Sequence, residues 1–179
     1  MRYAVLLGCL VFLISACTKE KEPILTPLTG AEISGERLWK RITVDSDYDI
    51  YAHWPGQKGL FPGQSPHGKF HEVYINAALA SALPIASKTA PDGSIIVKEN
   101  FNADKKLTNI TVMAKVRGFN PDDGDWFWAM YDPQGKIVVS NNLAMEGRVA
   151  YCYECHAGVK DNDYVILWPL DAPLPAATK

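Results

Sequence analysis

Cys152, Cys155 and the histidine directly after them, His156, are the residues whose types and spacing most narrowly define a chemistry in this chain. Two thiols three positions apart on a helical turn form thioethers to the two vinyl groups on one porphyrin edge, and the adjacent imidazole then points at the iron. The pentapeptide Cys152-Tyr153-Glu154-Cys155-His156 therefore predicts one covalent haem c, attached through Cys152 and Cys155 with His156 as the iron's axial ligand. Other uses of the motif fit less well. A thioredoxin-like dithiol opens a helix in a βαβ unit, whereas Cys155 lies 24 residues from the C-terminus with no such unit after it. A zinc site needs a fourth ligand, and His53, His67 and His71 lie far upstream. A disulfide within the motif would close too short a loop to stabilise much.

Only 23 residues follow His156 and none is methionine, so a sixth iron ligand would have to come from upstream. The choices are Met113, Met130, Met145, His53, His67 and His71, with core packing the simpler reading for each methionine.

A motif of this kind needs a compartment that attaches haem, and the N-terminus supplies an address. Arg2 is followed by an apolar run over residues 4–14 and by Ser15-Ala16-Cys17. This is the n-region, h-region and small-residue cleavage site of an export signal. Eleven residues are too few for a membrane-spanning helix, which takes roughly 20. The ending Ile14-Ser15-Ala16-Cys17 resembles a bacterial lipobox, which implies cleavage before Cys17 and acylation of its thiol. The expected organisation is a signal peptide over residues 1–16, a tether over 17–30 rich in polar residues with Pro23 and Pro27, and a haem domain over 31–179. Removal of Arg2 leaves seventeen basic against twenty acidic residues, a mature charge of −3 without any basic block. A nucleic-acid partner is excluded on that ground, and the expected membrane contact is the lipid anchor alone.

The elements that must position the motif read mainly as strands. Hydrophobic residues make up 47% of the 179, enough for one buried core. Ser34 caps a short helix bearing Leu38 and Ile42, and residues 54–68 form a loop rich in Pro and Gly. Alternation predicts strands over 69–76, 94–101, 107–119, 126–131 and 137–140, with a helical turn from Asn76 to Leu83. Pro91-Asp92-Gly93, residues 120–124 and Pro133-Gln134-Gly135 are turns, and the short connections imply antiparallel pairing. Asp122, Asp123 and Asp125 lack the bidentate glutamate of a calcium loop, so they too read as turn residues. The fold class expected is mainly β (α+β), an antiparallel sheet with a few short helices packing one haem c.

Set in this order, residues 54–168 resemble the cytochrome P-460 family, which includes the cytochromes c′-beta. The resemblance rests on Ser65-Pro66-His67-Gly68, Val73-Tyr74-Ile75-Asn76, Pro91-Asp92-Gly93-Ser94-Ile95-Ile96-Val97-Lys98-Glu99, Gly124-Asp125-Trp126 and the late Cys152–His156 motif. It implies an antiparallel β fold, often dimeric, with one haem c, a proximal histidine and an open distal position. Such proteins oxidise hydroxylamine or bind nitric oxide and similar ligands, passing electrons to a cytochrome or other acceptor. The lysine that hydroxylamine-oxidising members join to the porphyrin aligns with His71 here, so no lysine cross-link is expected, with Lys69 and Lys98 the alternative nucleophiles. By alternation His71 shares an inward face with Val73 and Ile75, while Lys98 reads more simply as a solvated strand lysine. The resemblance also places Phe119 and Asn120 over the distal haem face, as a size filter and a polar neighbour.

Overall fold

The computed structural model describes residues 26–174, so the expected export signal, Cys17 and the first part of the expected tether lie outside the described residues. Among the described residues the strands are β1 (Ala52–His53), β2 (Phe61–Pro62), β3 (Phe70–Ile75), β4 (Ile95–Phe101), β5 (Leu107–Lys115), β6 (Trp126–Tyr131), β7 (Val139–Ser140), β8 (Leu143–Ala144) and β9 (Glu146–Gly147). Three α-helices accompany them: α1 (Gly35–Lys40), α2 (Ala77–Ala80) and α3 (Ala150–His156). Seven strands form one antiparallel sheet, β1-β3-β4-β5-β6-β9, with β2 pairing the other end of the β3 edge that β1 occupies. β7 and β8 form a separate hairpin. Among the described residues no helix is long and apolar enough to cross a membrane.

Local signals account for the elements. Ser34 accepts from Arg37 N–H at 3.2 Å to start α1, and Asn76 accepts from Leu79 N–H at 3.3 Å to start α2. Gly93 takes φ +82°, a left-handed conformation that glycine adopts freely, at the turn feeding β4. Two expectations are corrected. The strand expected to run to Phe119 stops at Lys115, because Gly118 turns at φ +76° and Val116 N–H returns to Asp125 O at 2.8 Å. The strand expected over 137–140 reduces to β7, with Ile137 making only an isolated bridge to Tyr131.

Register decides which side chains share a face, since cross-strand partners point the same way. One face carries the row Ile75, Ile96, Met113 and Trp128, and above it the row Val73, Lys98, Thr111 and Met130. The other face carries Tyr74, Val97, Val112 and Ala129. α3 and the chain after it cover the first face, with Trp54, Leu79, Val165 and Leu170 in that core. α1 covers the second face, where Tyr131 Oη donates to Gly35 O at 2.8 Å. Because β4 is covered on both sides, Ile95, Ile96 and Val97 are all buried, in contrast to the alternation of a half-exposed strand.

Candidate haem site

α3 begins after Val149, whose carbonyl accepts from Cys152 N–H and Tyr153 N–H, each at 3.0 Å. Cys152 is half-buried against the first core and Cys155 is exposed, one helical turn on; both thiols are free. Burial, and then the neighbouring Cys155, pushes the Cys152 thiol up to about 11. The His156 ring stands edge-on to Trp128, with centroids 4.7 Å apart, and its Nδ1 donates to Tyr164 O at 2.7 Å. A carbonyl only accepts, so the proton sits on Nδ1 and Nε2 keeps its lone pair, the atom that binds a metal. Burial lowers the pKa of His156 most, with Lys98 adding in the same sense against the Tyr164 hydrogen bond.

The carbonyl that orients His156 is itself held. Asp163 and Tyr164 are both left-handed, at φ 52° and 64°, a conformation uncommon for non-glycine residues. Lys115 Nζ lies 2.7 Å from both Asp163 carboxylate oxygens, Ala90 N–H donates to Oδ2 at 2.8 Å, and Trp126 Nε1 donates to Asp163 O at 2.8 Å. Lys115 and Asp163 are 8% and 7% exposed, so this ion pair works in a poorly screened environment. Sequence reading did not find it: the partners are 48 positions apart and neither belongs to a recognisable motif.

The sheet face that α3 covers brings together a polar cluster. His71 on β3 is buried, and its Nδ1 has no hydrogen-bond partner among the described residues. Desolvation, then Lys98, pulls its pKa down to about 4. His67, in the loop before β3, lies with its ring centroid 6.2 Å from that of His156 and its Nδ1 3.4 Å from Thr111 Oγ1. Burial first, then Lys98, His156 and His71, lowers it to about 3. Lys98 at the centre of β4 is pushed down to about 8 by desolvation, so the solvated-lysine reading is corrected: its face is roofed by α3 and the chain after it. Asn100, fully buried, donates to Asn109 Oδ1 at 2.8 Å and Thr111 Oγ1 at 3.1 Å. The parity 96-98-100, begun by apolar Ile96, is the sequence signal that would have found Asn100.

Other expected residues fall elsewhere. Phe119 packs on Phe127 at 5.2 Å in the second core, beneath the Arg148 guanidinium, and so lies off the α3 face. Asn120 is buried as a turn residue, its Nδ2 donating to Asp123 Oδ2 and its N–H to Asp125 Oδ1. The distal placement of these two is an implication of the resemblance; the structure shows Phe119 against the second core and Asn120 within the turn that follows Gly118. Lys69 is exposed ahead of β3. His53 Nε2 bonds Glu72 Oε1 at 2.8 Å on the second face. Met113 and Met145 are buried in the first core, with Met130 packed against it.

These donors fit a haem c. Two free thiols on one turn and an imidazole with Nε2 free sit against an aromatic and aliphatic core, and a buried histidine nitrogen without a partner stands in the cluster near it. A search of the curated proteins finds no match. The cytochrome P460 family model matches residues 50–167, from just before β1 to beyond α3, and includes Cys152, Cys155 and His156. Motif, sheet and match agree, and the chain belongs to the cytochrome P460 family, whose members bind haem c covalently.

Proposed function

We propose that this protein is an exported, lipid-anchored mono-haem c cytochrome that binds and redox-transforms small nitrogen ligands, hydroxylamine and nitric oxide, at an open distal haem position. The observation that carries the reading is His156, tautomer fixed by Tyr164, beside a buried face bearing His71 with a free Nδ1 and the depressed amine of Lys98. Haem c, when bound, supplies an iron that takes up one small ligand and exchanges single electrons. Oxidising hydroxylamine releases protons with those electrons, and the imidazole of His71, held neutral by burial, is the group on this face that is free to accept one. The electrons pass to a redox partner, a cytochrome or other acceptor. Residues 1–16 and Cys17 support export and an anchor on the periplasmic side of a membrane, and the family resemblance supports a homodimer.

The second reading, nitric oxide binding without turnover, is favoured by one observation: His71 stands where the cross-linking lysine aligns. Anaerobic addition of hydroxylamine to the ferric holoprotein with an oxidised acceptor separates the two. Acceptor reduction dependent on hydroxylamine supports the enzyme, and nitric oxide uptake without it supports the binder. Failure of both contradicts the proposal.

A further inference from the structure

A cavity of about 390 Å3 opens on the opposite side of the sheet from His156. Its walls are mostly apolar, with Leu38 of α1, Ile95 of β4, Ala114 of β5 and Val116, and they also carry polar groups, among them Ser46 and Asn76. A volume of this size lies within the range of small-molecule sites. The charged group of interest at its wall is Arg41.

Arg41 opens a π-helical turn, Arg41–Asp45, that continues α1; such wide turns are rare and frequent at functional sites. Its side chain is 15% exposed. One guanidinium nitrogen, Nη1, donates to Thr26 O at 2.9 Å, but the buried Nε has no hydrogen-bond acceptor among the described residues. The nearest carboxylate, Asp45, stands 3.7 Å from Nε and is bound more closely by Lys40, at 3.0 Å. Lys40, Arg41 and Asp45 together leave one positive charge. Asp92, also at the cavity wall, is occupied by Arg117, whose N–H donates to it at 2.8 Å. A buried donor left unpaired is costly, and a ligand carboxylate is the acceptor that would pair it with a charge-assisted bond.

We infer that this cavity binds a medium-chain monocarboxylate, its carboxylate on Arg41 Nε and its chain along Leu38, Ile95 and Val116. The occupant is an amphiphile because the walls are mostly apolar and, of the two cations that line them, Lys115 is held by Asp163 while Arg41 has no close carboxylate of its own. The site is independent of haem.

Titration calorimetry of the full-length holoprotein with decanoate and with decanol tests this. Decanoate is expected to bind saturably at one site per chain, and decanol at least tenfold more weakly. In Arg41→Gln, decanoate binding should weaken by roughly tenfold to a hundredfold, with decanol little changed and the haem spectrum unaltered. Equal binding of the two probes by wild type, no saturable decanoate binding, or an Arg41→Gln affinity equal to wild type would each overturn the assignment. The comparison of probes on wild type stands whether or not the variant folds.

Discussion

Asp163 receives the Lys115 ammonium at 2.7 Å on both carboxylate oxygens, and the residue after it supplies the carbonyl that sets the His156 ring. An ion pair far from the motif in sequence thus positions the proximal imidazole. Removing one partner leaves the other charged and buried, so Asp163→Ala is expected to lower stability by about 3–5 kcal/mol in urea unfolding. Lys115→Met with Asp163→Leu, which removes both charges, should cost much less but still shift the iron–imidazole stretching frequency, because Tyr164 O loses its anchor. An unshifted frequency in that double variant would remove the positioning role.

Cys152 and Cys155 carry the covalent attachment. In the wild type, haem is expected to stay with the polypeptide through acid-acetone extraction; in Cys152→Ala with Cys155→Ala it should be extracted freely. Single variants should each retain one thioether. Free extraction from wild type would contradict the assignment.

Acid sensitivity should trace to His71. Its folded pKa near 4 lies below the ordinary 6.5, so on acidification the unfolded chain takes up the proton first. The contribution is complete above about pH 6.5 and is lost between there and pH 4, amounting to up to about 3 kcal/mol. His67, lowered to about 3, acts in the same sense. Urea midpoints of His71→Gln should therefore vary less over this range than those of wild type, and identical slopes would rule His71 out.

Lys98 has the same liability in a higher pH window. No ion-pair partner for it is found among the described residues, and its pKa near 8 marks a folded state that penalises the ammonium. Stability should rise as pH climbs from about 8 to 10.5, where the unfolded chain still holds the proton and the folded one has released it. Lys98→Met should thus be more stable than wild type at pH 7, by on the order of 1–3 kcal/mol, and the gain should shrink by pH 10. Its intact mass and that of wild type should each correspond to chain plus one haem, without hydrogens lost to a lysine bond. A wild-type mass showing that extra loss, absent from Lys98→Met, would identify Lys98 as a cross-linking residue.

The motif and the four long strands were legible because each depends on local pattern: C-x-x-C-H is contiguous, and the inward parity of His71, Val73 and Ile75 is kept through β3. Parity misled where its premises lapsed. It has nothing to say of Phe119, which lies past the end of β5. Lys98 occupies a strand covered on both sides, where the polar parity is also an interior one. The Lys115–Asp163 pair and the closeness of His67 to His156 arise from tertiary packing alone, across separations that no local pattern encodes.

The central claim, an iron held by His156 with its other axial position free, is tested most directly by the ferrous absorption spectrum before and after anaerobic nitric oxide. The account predicts a five-coordinate high-spin spectrum that converts rapidly and stoichiometrically to a nitric oxide complex. A six-coordinate low-spin ferrous spectrum, unchanged by nitric oxide, would show the distal position closed by a second protein ligand and would contradict the account.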